Sequence, residues 1–197
     1  MVTSIDGPQT LAFAPISLAG GYDLAQLRQT SDLAETTRAA IDHAPWNQVT
    51  AWGLPFEVHA GFVISHQPQS VAFVPTMAPW LVFMHTAEPA PLSDDTHGII
   101  HPMIGEGRLN QHMADYIILY DDGQEERLPV RGRHQIGAFT RRWGENCFQA
   151  VAHHKPQPVR PHHEQMTAGW GVSQERVDPA DSGSWVNWLW AWENPRP

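Results

Sequence analysis

The sequence predicts an all-β fold, a β-sandwich of jelly-roll type, and three observations carry the prediction. Its 17 Pro and 15 Gly are spread along 197 residues, so breakers separate short apolar runs roughly every 8–15 residues. From residue 54 onward apolar residues recur with period two, the signature of half-buried strands. A helical period is confined to the stretch between Asp23 and Ile41. A core is available to such a fold: 42% of the residues are apolar, with nine Trp, seven Phe and three Tyr. At this length a folded chain buries roughly 70% of the surface it exposes when unfolded.

Asp23 is placed to cap a helix opening Leu24-Ala25-Gln26-Leu27, with Gln26 at the capping-box position. Asp32-x-x-Glu35 offers a second start leading to Ile41. Leu24, Leu27, Ala34 and Ile41 make a thin apolar stripe, which predicts one or two short N-terminal helices. The expected organisation is one sandwich domain over residues 1–197. About residues 1–50 form a helical or irregular segment packed on it, and the chain reads equally as a fragment of a longer enzyme.

In the strand region, Phe56, Val58 and Ala60 alternate with Glu57 and His59. Gly61 then offers a bulge before a strand from Phe62 to His66. Ser70 to Val74 reads as a short strand stopped by Pro75. Trp80 to His85 is apolar until its last residue, as expected of a central strand buried on both faces. Residues 86–110 read as a long loop. Tyr116, Ile118 and Tyr120 then alternate with Ile117 and Leu119 before Asp121-Asp122-Gly123 turns the chain, with Gly123 supplying a left-handed residue. On the return from Glu125 to Arg131, Leu128 and Val130 share one face. Pro129 lacks a ladder donor and marks an edge. Cys147 to Ala152 and Trp185 to Trp192 bring the expectation to about eight strands.

Composition excludes several classes of function. Acidic residues outnumber basic ones 21 to 12, a formal charge of −9 that repels nucleic acid and leaves no polybasic membrane anchor. No apolar run approaches the ~18 residues of a membrane span. The one cysteine, Cys147, excludes an internal disulfide and a cysteine-rich zinc site. Met1 opens no basic, hydrophobic secretion signal, so with Met1 as the native start the expected location is the cytoplasm. No phosphate loop, dinucleotide fingerprint or G-x-S-x-G is present, and no cofactor is expected.

Several segments, in order, carry a resemblance: Gly53-Leu54-Pro55-Phe56-Glu57-Val58, Trp80 to Thr86, Ala114 to Gly123, Arg131, Trp143-Gly144, and Trp190-Ala191-Trp192-Glu193-Asn194-Pro195. Over roughly residues 50–197 the chain resembles the galactose-binding-like β-sandwich domains attached to bacterial glycoside hydrolases and related polysaccharide-active enzymes. The resemblance implies a saccharide binder, a spacer or a subunit-contact domain. Its motifs are strand and turn residues, so it carries over no ligand-contacting residue.

Candidate sites therefore come from the residues themselves. Arg131, Arg133 and His134 lead toward Trp143, Glu145 and Asn146, joining guanidinium forks, a carboxylate, an amide and an indole. That mixture suits a polyhydroxyl or uronate ligand, since Arg holds carboxylates bidentately and Asn both donates and accepts. Trp170 also sits beside Gly in loop-like sequence and completes the expected ligand-binding set. The row Val186, Trp188, Trp190 and Trp192 shares one strand face; exposed, it would make a sugar platform, and buried, it is core.

No metal is expected, with His153, His154, His162, His163 and Glu164 as the alternative ligand set. Neighbours on a strand point to opposite faces, which weighs against that set. No catalytic group is assigned. The weak candidates are Glu145, Glu164 and His134, and a glycosidase would need two of the carboxylates facing each other across a cleft. Three readings follow: a non-catalytic carbohydrate-binding or accessory domain, a stand-alone glycoside hydrolase or lyase using His and Glu of residues 134–164, and a structural oligomerisation domain. The expected partners are a saccharide, a catalytic domain or subunit, or a second copy, with no nucleic acid and no membrane.

Overall fold

The structure is a computed structural model that describes residues 6–65, 67–89, 109–140, 146–154 and 185–197. It is mostly β-structure with antiparallel ladders and two short helices, α1 (Leu24–Leu27) and α2 (Glu35–Ala40). The strands are β1 (Asn47–Ala51), β2 (Leu54–Val58), β3 (Trp80–His85), β4 (His112–Leu119), β5 (Glu125–Arg131), β6 (Ala150–Ala152) and β7 (Trp188–Glu193). They form a β1–β2 hairpin, a β4–β5 hairpin and a three-stranded sheet in the order β3-β7-β6. Among the described residues no helix is long and apolar enough to cross a membrane.

The β4–β5 hairpin forms where alternation and turn chemistry place it. Gly123 adopts φ +78°, and its N–H donates to the Tyr120 carbonyl at 2.9 Å. Leu128 and Val130 turn inward and are buried, while Pro129 lies opposite Asp115. The inward face of this hairpin meets the three-stranded sheet. Leu128, Val130, Ala150, Ala152, Trp188 and Trp190 are buried in one cluster, against which Phe83, Tyr116, Ile118 and Trp192 pack. The tryptophan row is thus core. Trp188 and Trp190 are shut from solvent, and the Trp188 indole donates to the Ala138 carbonyl at 3.0 Å. Gly137 makes room for that indole, because a Cβ there would lie 2.4 Å from Trp188 Cε2.

Three strand expectations need correction. Trp80–His85 is not central: the centre belongs to β7, which pairs with β3 on one side and β6 on the other, and Trp80 is 44% exposed. Of the expected strand Phe62 to His66, the described residues Phe62 to Ser65 form no strand; Gly61 makes an isolated bridge to Tyr22, and the Val63 carbonyl accepts from the Gln69 side chain at 2.6 Å. Ser70 to Val74 forms none either, because Val74 is 77% exposed and the segment has no face to bury. A strand missed by the sequence, β1, pairs with β2 across Trp52-Gly53, which turn with φ +54° and +80°. The Trp52 indole then ties this hairpin to the Ala152 carbonyl at 2.7 Å.

The two helices form a layer around a second cluster of Leu27, Ile41, Val63, Phe139 and Trp185. Asp23 and Gln26 form the expected capping box on α1. The start of α2 differs from expectation: its N-cap is Ala34, which has no capping side chain. The Glu88 carboxylate stands in, accepting from the Ala34 N–H at 2.7 Å and the Thr37 hydroxyl at 2.6 Å. A negative charge at a helix N-terminus faces unsatisfied N–H groups and the positive end of the helix dipole.

Candidate ligand-binding site

Of the predicted ligand residues, Arg131, Arg133 and His134 lie at the turn that leaves β5. The Arg131 carbonyl accepts from the N–H groups of His134 and Gln135, both at 3.1 Å, and this folds the chain back on itself. Arg133 takes a left-handed φ of +59°, uncommon for a non-glycine residue and tolerated here inside a hydrogen-bonded turn. Gln135 locks the turn from beneath. Its Oε1 accepts from the Arg131 N–H at 2.9 Å, and its Nε2 donates to Gln149 Oε1 at 2.5 Å.

A second stretch zips onto the turn. Phe148 N–H donates to the Arg133 carbonyl and Gln149 N–H to the His134 carbonyl, each at 3.0 Å. The His134 and Phe148 rings thereby meet with centroids 5.1 Å apart, tilted by 43°. Phe148 is 71% exposed, and Asn146, two residues earlier, is exposed as well. The backbone zipper thus brings the stretch holding Asn146 and Phe148 alongside Arg133 and His134. Arg131 has a structural task, donating from Nη1 to the Asn110 carbonyl at 3.3 Å. Trp143, Glu145, Glu164 and Trp170 lie outside the described residues, as do His162 and His163.

Beneath the turn, His85 connects it to the sheet cluster. The Gln135 carbonyl can only accept, so the 2.8 Å contact puts the proton on His85 Nε2. Nδ1 is then the acceptor for the Tyr116 hydroxyl at 2.7 Å. The imidazole lies nearly parallel to the Trp190 indole, with centroids 6.3 Å apart and planes 11° from parallel. Desolvation lowers the His85 pKa to about 4, opposed by the bond to Gln135, and the same desolvation raises that of Tyr116. Both groups are therefore neutral near pH 7.

The described part of the alternative metal set behaves differently from a ligand pair. His153 and His154 follow the end of β6, and their rings meet edge-on at 4.9 Å. His153 Nδ1 accepts from the Asn187 N–H at 3.1 Å, while desolvation and neighbouring His154 press its pKa down to about 4. Among the described residues, no three His, Cys, Asp or Glu side chains converge as a metal set.

Sequence reasoning missed Phe148, Gln135 and Gln149, which shape the site. Phe148 read as an ordinary strand residue, but β6 starts only at Ala150. The signal for His85 was visible, a lone imidazole closing an apolar strand. What assembles is a surface platform: the exposed Phe148 ring against the half-buried His134 ring, on a turn held from below. Flat rings offer apolar faces to the C–H side of a sugar. No protein-family model, curated protein or solved structure matches the chain.

Proposed function

We propose that this chain is a non-catalytic carbohydrate-binding or accessory domain of a carbohydrate-active enzyme, built as a galactose-binding-like jelly-roll sandwich. The observation that carries the reading is the Phe148–His134 ring pair, with the Phe148 ring exposed, on a turn pinned by Gln135. An exposed aromatic ring normally costs solubility, and here it stands on a hydrogen-bonded mount.

Calorimetric titration with neutral and acidic oligosaccharides tests the reading. Phe148→Ala removes the stacking face, worth about 0.5–1.5 kcal/mol for aromatic contacts, so affinity falls roughly three- to tenfold with an unchanged urea midpoint. Unchanged affinity removes Phe148 from the site. A second reading has its own support. The outer face of β4 exposes Met113, Ile117 and Leu119 around the Asp115–Arg127 ion pair, a mixed surface open to a catalytic domain or a second copy. Silence across the sugar panel, with self-association in sedimentation, favours that reading.

A further inference from the structure

On the helical side, away from the Phe148 platform in sequence and in core cluster, the surface dips into an open depression of about 360 Å³. That is at the lower end of the range of small-molecule sites, about 300–1,000 Å³. Its rim is built. The 19–22 stretch is pinned at both ends: Ala19 N–H donates to the Ala72 carbonyl at 2.9 Å, and Tyr22 and Gly61 exchange two backbone bonds of 2.8 Å. Between these anchors Gly20 and Gly21 both take positive φ, +87° and +84°. Gly21 allows the close approach, since a Cβ there would come within 3.0 Å of Phe62 Cζ and Ala60 Cβ. At Gly20 a Cβ would meet nothing within 4 Å, so the backbone there faces open space.

The lining divides into an apolar and a polar flank. Tyr22 and Phe62 supply aromatic surface, and Gln69 and Ser70 supply an amide and a hydroxyl. Gln69 Nε2 is committed to the Val63 carbonyl at 2.6 Å, which fixes the amide and leaves Oε1 as the acceptor. The N–H groups of Gly20 and Gly21 have no acceptor among the described residues. Among the described residues no charged side chain lines the depression, so none of them compensates an ionic ligand.

We propose that this depression, formed by Gly20, Gly21, Tyr22, Phe62, Gln69 and Ser70, is a second binding site that holds one ring of a neutral saccharide. The aromatic flank takes the C–H face of the ring, and the fixed amide, hydroxyl and glycine N–H groups take its hydroxyls. The site draws on residues that the Phe148 platform does not use, so the two stand or fall separately.

The test uses the full chain labelled with ¹⁵N, titrated with methyl β-D-glucopyranoside and methyl β-D-galactopyranoside. At least one glycoside is expected to shift the Gly20 and Gly21 amides saturably, with a millimolar dissociation constant. Phe148→Ala leaves those shifts in place. Ser70→Trp fills the depression from an exposed position without disturbing the core, and weakens the response at least tenfold while the spectrum stays dispersed. Gly20 and Gly21 amides that stay still with both glycosides overturn the proposal, as do shifts confined to amides around Phe148. Undiminished binding by Ser70→Trp overturns it too.

Discussion

The two core clusters are held together by different means. Around Trp188 and Trp190 the sheet cluster is built from continuous ladders: β7 bonds to strands on both sides, and the β4–β5 hairpin packs across it. Each residue lost there disturbs a ladder and a packed face at once. The helical cluster around Leu27 and Trp185 gathers short, separate stretches instead, joined by one or two long-range bonds at a time. Examples are Glu88 to Ala34 and Thr37, Tyr22 to Gly61, and Val186 N–H to the Phe139 carbonyl at 2.8 Å. Ladders share load among neighbours, whereas isolated tethers fail one at a time. The sheet cluster should therefore open only with global unfolding, and the helical layer should open locally.

The largest test of that contrast is Trp190→Ala. Removing a buried indole costs roughly 3–5 kcal/mol, so the urea midpoint should fall for every probe together. A local loss of signal with an intact global transition would break the comparison.

Next is acid. His85 belongs to the sheet cluster, and its pKa is lowered to about 4 from its ordinary 6.5. A base whose pKa falls on folding contributes stability that is complete above the unfolded value and is lost as pH falls through the folded one. At about 1.4 kcal/mol per pH unit the loss from His85 is at most roughly 3 kcal/mol, spread between about pH 6.5 and pH 4. His153 adds to it in the same window. Urea midpoints should be flat near pH 7–8 and decline steeply below pH 6, and His85→Gln should reduce that slope. A midpoint unchanged down to about pH 4 would contradict the neutral network of His85, Tyr116 and Gln135.

The smallest effect sharpens the other side. Glu88→Ala removes the distant cap of α2 and costs about 1 kcal/mol, the usual worth of an N-cap. Hydrogen exchange should speed up across residues 34–40 while the amides of β7 keep their protection. Equal acceleration in both would mean that the helical layer is not independently tethered.

Signals confined to a few neighbouring residues were legible in the sequence. The Asp23–Gln26 capping box and the Gly123 turn each need only four residues to specify them, and both formed as read. Where the deciding partner is distant, the reading failed. The cap of α2 is Glu88, more than fifty residues from Ala34, so the nearer Asp32 took its place in the sequence reading. The β1–β2 turn escaped because Trp52 occupies a left-handed position usually held by Asn, Asp or Gly. At the site, residue chemistry pointed to Arg133, His134 and Asn146, but only tertiary zipping showed that Phe148 joins them.

The middle position of β7 also sets a timetable for synthesis. More than a hundred residues separate His85 from its ladder partner Trp188, and β6 waits on the same strand. As the chain leaves the ribosome, the β4–β5 hairpin can close within its own twenty residues, whereas β3 must wait with an apolar edge unpaired. At about 5–20 residues per second that wait lasts several seconds, during which an unpaired apolar strand edge is open to pairing with other chains.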